Sequence, residues 1–264
     1  MSEEPAVVFV AGTAGAGKTT FVRAFAEWMK TSGYDASVVN LDPGLENAEF
    51  EPDVDIREWV RLADLQDEYG LGPNGAQVAA ADMIALKIFE VKQAIAEADA
   101  DYVLVDTPGQ IELFAFREAS KAIVEALGGD RTLIAFLYDP GLARTASGFV
   151  SLLLLSASVE FRFRLPIVNV LTKSDVLTAE QLAEVLAWSD EPGRLDDAVG
   201  GPTATPDVQL STELLRAIET MGPLTGLVPT SAKERTGLEA FYRECQRILA
   251  GGEDLEPSHE PVAE

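Results

Sequence analysis

Residues 12–19 read Gly12-Thr13-Ala14-Gly15-Ala16-Gly17-Lys18-Thr19, directly after the apolar run Val7-Val8-Phe9-Val10. That run has the character of a strand buried on both faces. Beyond the glycines, Phe21, Phe25, Trp28 and Met29 fall at i, i+4, i+7 and i+8, one stripe of a helix. A glycine-rich turn between a buried strand and a helix is a cradle for phosphate, because backbone N–H groups can close around the oxygens. Lys18 adds a point charge for the outer phosphates, and Thr19 adds a hydroxyl for Mg²⁺. Gly12, Gly15, Ala16, Gly17, Lys18, Thr19 and Thr20 are the expected contacts. The spacing implies a bound nucleoside triphosphate.

Working outward, six apolar runs read as strands: 6–11, 36–41, 102–105, 132–138, 166–171 and 226–230. They are rich in Val, Ile and Leu without clean alternation, the pattern of a parallel sheet covered on both sides. Helical stretches separate them. The fold class is therefore α/β, a doubly wound, mainly parallel six-stranded sheet. The 264 residues suit one domain over 1–250, with helical insertions at about 43–100 and 176–225. The first insertion has a Gly-Pro break near 70–75. In the second, helices are expected near 179–189 and 208–221, and the Gly/Pro-rich stretch 190–206 reads as a loop. A helix over about 236–249 closes the domain, and 251–264 reads as a disordered acidic tail. The segment from Val78 to Ile95 is amphipathic. Its Met83, Leu86, Ile88 and Phe89 are either ordinary core or a dimer surface.

Ligands of an open parallel sheet bind outside the carboxyl ends of its strands. Polar signatures recur at those ends: Asn40-Leu41-Asp42-Pro43, Asp106-Thr107-Pro108-Gly109-Gln110, Thr172-Lys173-Ser174-Asp175 and Ser231-Ala232-Lys233. Asp106 is the second acidic element of a phosphate-loop enzyme, holding Mg²⁺ directly or through water; the plainer alternative is a helix N-cap. Gly109 would offer its N–H to the γ-phosphate, and Gln110 would orient an attacking water. For Lys173 and Asp175 the plainer reading is an ion pair in a surface turn.

In order, these elements resemble those of a GTPase. Thr172-Lys173-Ser174-Asp175 is similar to the guanine-reading motif Asn-Lys-x-Asp, with Thr172 in place of Asn. Asp175 would accept from guanine N1–H and the 2-amino group, which adenine cannot match. Lys173 would lay its stem over the base plane, and backbone at Ser231-Ala232 would face guanine O6. Gly72-Pro73-Asn74, between Asp42 and Asp106, narrows the likeness. From about residue 6 to 250 the chain resembles the GPN-loop GTPases. That resemblance implies GTP and GDP as ligands with Mg²⁺, and a homodimer in which Asn74 reaches the partner's nucleotide. It also implies that Asp42 positions metal or water. The catalytic set is then Lys18, Asp42, Asn74 and Gln110, and the metal set Thr19, Asp42 and Asp106. The implied activity is GTP hydrolysis acting as a dimer-state switch. The alternative is an assembly factor whose hydrolysis only resets binding to a protein client; by family analogy that client is RNA polymerase in assembly. A partitioning or anion-pump ATPase commonly carries an extra Lys early in the phosphate loop, where this chain has Thr13-Ala14.

Composition sets limits. The formal net charge is −24, and no basic cluster offsets it, so direct nucleic-acid or anionic-membrane binding is not expected. Acids spread through the whole chain suit a high-salt cytoplasm, where their repulsion is screened. Cys245 is the only cysteine and His259 the only histidine. An intrachain disulfide, a Cys/His metal cluster and His-based nucleophilic chemistry are thereby excluded, and a metal-delivery role is disfavoured. The start of the chain has no basic n-region of a secretory signal. The apolar stretch Phe149 to Val159 is too short to span a bilayer. The expected location is the cytoplasm.

Overall fold

The computed structural model describes residues 4–45, 50–191, 193–200, 213 and 226–249. Among them the strands are β1 (Ala6–Gly12), β2 (Ala36–Asn40), β3 (Val54–Asp55), β4 (Tyr102–Asp106), β5 (Thr132–Tyr138), β6 (Ile167–Leu171) and β7 (Leu227–Pro229). They form one sheet in the order β3-β2-β4-β1-β5-β6-β7, and every neighbouring pair is parallel. From β1 the chain passes to β2 and β3 on one side, returns to insert β4 beside β1, and then continues to β5, β6 and β7 on the other side, so the loop after β1 lies at the topological switch point, where such sheets bind ligands. Parallel register sets Asp55 against Asn40, Asn40 against Asp106, and Asp106 against Val10. Polar residues from three strands thus share one rim.

The sheet has seven strands rather than six. The extra one, β3, is two residues long and too short to leave an apolar run. The helices are α1 (Lys18–Thr31), α2 (Leu62–Tyr69), α3 (Pro73–Leu86), α4 (Ile88–Ala98), α5 (Ile111–Ala115), α6 (Glu118–Leu127), α7 (Pro140–Ala143), α8 (Ala146–Phe163), α9 (Ala179–Asp190), α10 (Arg194–Gly200) and α11 (Leu238–Leu249). The stretch read as a loop from 190 to 206 holds α10. Its one buried side chain, Leu195, packs into the core and overrides the local turn formers. Residues 201–206, the helix expected near 208–221 (apart from helical residue 213) and the tail 251–264 lie outside the described residues.

Strand burial explains the missing alternation. Val7, Phe9 and Ala11 face one apolar cluster, under helices that include α3, α6 and α8. Ala6, Val8 and Val10 face the other, under α1 and α11. Phe21, Phe25 and Met29 of α1 are buried, and Phe241 of α11 meets Phe21 and Phe25 edge-on at 5.1 and 4.8 Å. Each such side chain contributes about 1.5–3 kcal/mol by leaving water. The apolar stretch around 149–159 belongs to an 18-residue helix, α8, apolar enough by length and composition to cross a membrane. Its Phe149, Leu152, Leu153 and Val159 are buried in the cluster under the sheet, as in the core helix of a globular protein. The α3–α4 segment divides in two: Ile84, Ile88 and Val91 are core, whereas Leu86 and Phe89 are 75% and 80% exposed.

Candidate active site

The phosphate loop runs from the end of β1 into α1, and Lys18 lies folded beneath it, 6% exposed. Its ammonium donates to the carbonyl oxygens of Gly12 (3.1 Å), Thr13 (3.2 Å) and Gly109 (2.8 Å). Burial pulls the Lys18 ammonium below the usual lysine range, and the charges of Asp106 and Asp42 oppose that pull. Thr19 sits on the first turn of α1 and donates its hydroxyl to Asp106 Oδ2 at 2.6 Å. Ala16 is buried under the loop, while Thr20 is exposed.

Asp106 ends β4 at 1% exposure. Burial pushes its carboxyl up to about 7, against the Thr19 hydrogen bond and the Lys18 charge, with Asp42 adding to the rise. Its Oδ1 is buried and has no hydrogen-bond partner. An orphaned carboxylate oxygen beside a Thr hydroxyl is a hard-oxygen pair that would suit Mg²⁺. Among the described residues no group of three or more His, Cys, Asp or Glu is placed to hold a metal ion.

Asp42 follows β2 and faces this pair. Its Oδ1 accepts from Gly44 N (2.9 Å) and its Oδ2 from Gly109 N (3.0 Å). Gly109 is therefore bracketed, its N–H on Asp42 and its carbonyl on Lys18. The N–H expected to face the γ-phosphate is engaged by Asp42. Thr107 donates to Val10 O at 2.7 Å and pins the start of the same loop to β1.

A second group gathers after β6 and β7. Ser231 donates to Asp175 Oδ1 at 2.6 Å, and Lys233 stands 3.9 Å from the other oxygen. Ser174 N donates to Thr230 O at 3.0 Å, so the two loops are joined by backbone as well, with Ala232 half-buried between them. Two side chains tie this group to the phosphate loop. Thr172, 4% exposed, donates to Ala16 O at 2.8 Å. Lys173, its backbone in the left-handed region at φ 50, donates to Gly15 O at 2.5 Å and to Asp139 Oδ2 at 2.9 Å. Thr172 and Lys173 thus fasten the loop after β6 to the phosphate loop at two neighbouring carbonyls.

A family profile described as "Conserved hypothetical ATP binding protein" matches residues 10–251. The GPN-loop GTPase PAB0955 of Pyrococcus abyssi is 32% identical over 241 residues, 88% of this chain and 92% of the relative. GPN-loop GTPase 3 of Eremothecium gossypii is 30% identical over 255 residues, 95% of this chain and 94% of the relative. The crystal structure of PAB0955, described as a GTPase in apo form, superposes with a TM-score of 0.83 at 27% identity, covering 92% of this chain and 96% of that one. The chain belongs to the GPN-loop GTPase family.

The GPN loop itself, Gly72-Pro73-Asn74, opens α3 with Pro73 in the first turn. Asn74 is exposed there, and the hydrogen bonds described above among Lys18, Thr19, Asp42, Asp106 and Gly109 do not include it. One turn further along α3, Gln77 accepts from Gln110 Nε2 at 3.1 Å. Gln77, Gln110, Asp42 and Gly109 line a cleft of about 80 Å³ between α3 and the phosphate rim, large enough for ordered water. The GPN-loop helix is thereby connected to the water-orienting candidate within its own chain.

Sequence reasoning passed over three features of this site. Asp139 directly follows β5, caps α7 through Gly141 N at 2.8 Å and pairs with Lys173. It carried the signal that located Asp42 and Asp106, an acid at the carboxyl end of an apolar run. Gln77 had no signal, because its role depends on which way α3 crosses the rim. The third feature is a polar cluster of Asn40, Asp55 and Arg57. There burial would raise the Asp55 carboxyl, but the Arg57 and Asn40 hydrogen bonds outweigh it and hold the group below the usual range.

Proposed function

We propose that this chain is a Mg²⁺-dependent GTPase that works as a homodimer, with the GPN loop of each copy completing the site of the other. GTP binding and hydrolysis follow from the family together with the site. One observation carries the guanine reading over the ATP-binding description of the family profile. Thr172 and Lys173 bind the backbone of the phosphate loop directly, and this sets Asp175 at a fixed reach from the phosphates. Its carboxylate matches the two donors on the guanine edge, and adenine would leave it unpaired.

Lys18 and the loop N–H groups hold the phosphates. Thr19 and Asp106 hold the metal, which when bound neutralises charge on the phosphate oxygens. Asp42 and Gln110 orient the attacking water. Asn74 supports the dimer reading because it is exposed at a helix tip rather than bound into its own site. Leu86 and Phe89, 75% and 80% exposed on the same α3–α4 segment, offer an apolar surface for a second copy. A neutral amide delivered from the partner would stabilise charge developing on the transferred phosphoryl group. Turnover would then follow dimer state, and GTP and GDP would set that state. We further infer that the −24 charge is an adaptation to a high-salt cytoplasm.

The test is Asn74→Ala, assayed in single turnover over a range of protein concentrations. Hydrolysis should slow by roughly 10²-fold with GTP affinity unchanged, the signature of a lost transition-state contact. Wild-type rate per molecule should fall on dilution below the dimer dissociation constant. A variant at full speed removes the trans role of Asn74, and a rate independent of concentration in a strictly monomeric protein removes the dimer.

A further inference from the structure

The two-residue strand β3 gives Val54 to the core and Asp55 to the site. It runs parallel to β2 with Asp55 opposite Asn40, and these two residues begin a chain of hydrogen bonds that ends on the Asp42 turn. Asn40 is fully buried. Its Oδ1 accepts from Asp42 N at 2.9 Å, and its Nδ2 donates to Asp42 O at 3.2 Å and to Asp55 Oδ1 at 3.0 Å. One amide side chain therefore grips both backbone groups of Asp42. Asp55 in turn accepts from Arg57 N and Nε and pairs with the Arg57 guanidinium. The remaining arm of that guanidinium, Nη1, donates to Leu45 O at 2.7 Å. Leu45 closes the same turn, its N–H on Asp42 O at 3.2 Å. The turn from Asp42 to Leu45 is thus held at its first residue by Asn40 and at its last by Arg57, and Asp55 bridges the two anchors.

Such an arrangement exceeds what a turn needs to form. Gly44 N bonding to Asp42 Oδ1 already makes an ordinary Asx turn. The added network fixes where the turn sits against β4 and where the Asp42 carboxylate points, which is onto Gly109 N. We infer that Asn40, Asp55 and Arg57 are positioning residues for GTP hydrolysis, acting through Asp42 by holding its carboxylate at the metal and water edge of the site. This rests on the reading of Asp42 as a residue of the hydrolytic step. The forked guanidinium matters because one cation must bind a carboxylate and a backbone carbonyl at once, which an ammonium cannot do in the same geometry. A misplacement of about 1 Å costs up to roughly 10²-fold in rate.

The experiment uses the full chain with Mg²⁺ and compares single-turnover GTP hydrolysis, affinity for a slowly hydrolysed GTP analogue, and thermal midpoint. The variants are Asp55→Asn, Arg57→Lys, Asp42→Asn and the double variant Asp42→Asn with Asp55→Asn. Asp55→Asn keeps size but turns one acceptor into a donor facing the guanidinium. Arg57→Lys alters a partly exposed residue and is read in the same way should Asp55→Asn fold poorly. The expected result is a rate loss of about tenfold or more in each single variant, with analogue affinity within about twofold of wild type. The double variant should be no slower than Asp42→Asn alone, because both changes remove one contribution. A purely structural role would instead lower the thermal midpoint and leave the rate of folded protein intact. Full-speed hydrolysis by Asp55→Asn and Arg57→Lys beside a slow Asp42→Asn overturns the clamp and leaves Asp42 standing. Multiplying losses in the double variant overturn action through Asp42. A full-speed Asp42→Asn removes the role of Asp42 itself, and the clamp falls with it.

Discussion

At the scale of single residues, the site is governed by two carboxylates in opposite surroundings. Asp106 is buried, and its carboxyl is pushed from the ordinary 3.8 up to about 7. In the unfolded chain the same group loses its proton near the ordinary value. The stability it contributes is therefore full below about pH 4 and lost as pH rises through about 7, since the folded state then carries a buried charge. For metal- and nucleotide-free protein, the melting temperature of wild type relative to Asp106→Asn should fall across that window. Saturating Mg²⁺ and GTP should flatten the trend, because both favour the ionised form. A difference independent of pH would refute the buried-acid account. Asp175, the proposed base reader, accepts from Ser231 at 2.6 Å. Asp175→Asn exchanges one acceptor for a donor, so it should cost roughly 10²-fold or more in GTP affinity. It should improve binding of xanthosine triphosphate, whose 2-oxo group accepts where the guanine 2-amino group donates. Fluorescent-nucleotide competition reads both changes, and unaltered GTP affinity would unseat Asp175 as the base reader.

At the scale of elements, legibility followed length. β1, β2, β4, β5 and β6 announced themselves because each is five to seven residues of buried apolar chain on a two-sided sheet. β3 did not, because a two-residue edge strand buries only Val54 and owes its place to Asn40 and Arg57 rather than to periodicity. α10 was hidden for a similar reason, with one buried leucine among turn formers. The rim residues Lys18, Thr19, Asp106 and Asp175 were legible because a strand end must carry them. Gln77 and Arg57 were not, because only the folded backbone brings Gln110 to the one and the Leu45 carbonyl to the other. One connection has little slack. Gly237 follows the Ser231–Thr236 bridge with φ +78, and a Cβ built there would lie 2.0 Å from Pro229 O. Its carbonyl also begins α11 by accepting from Phe241 N at 3.0 Å. Gly237→Ala should push α11 off β7 and cost roughly 2–3 kcal/mol, weakening GTP binding through Ser231. Gly70→Ala is the control: its φ is +63, but nothing lies within 4 Å of the added carbon, so about 1 kcal/mol is expected. Equal thermal shifts in the two variants would mean that the Pro229 contact yields freely.

At the scale of the whole molecule, charge decides the conditions in which the fold and the proposed dimer persist. The net charge of −24 is carried on a body whose radius of gyration is roughly 18 Å for this length. At about 0.01 M salt the screening length is near 30 Å, so nearly every acid repels every other; at about 1 M it is near 3 Å, and only adjacent charges interact. Screening also weakens attractions, but the pairs it would cost, such as Arg23–Glu27 at 3.8 Å and Lys87–Glu90 at 2.9 Å, are solvent-exposed and worth about 0–1 kcal/mol each. Repulsion is the larger account, and it doubles in kind when two such chains meet. Apolar burial of Leu86 and Phe89 in the proposed interface would not be weakened by that screening. Raising KCl from low to molar concentration should therefore lift the melting temperature and tighten the dimer together, read by calorimetry and sedimentation on the same samples. Greatest stability at low salt would show that the acids are balanced locally and that the high-salt reading is wrong. A dimer that tightens while the melting temperature stays flat would confine the repulsion to the interface between copies.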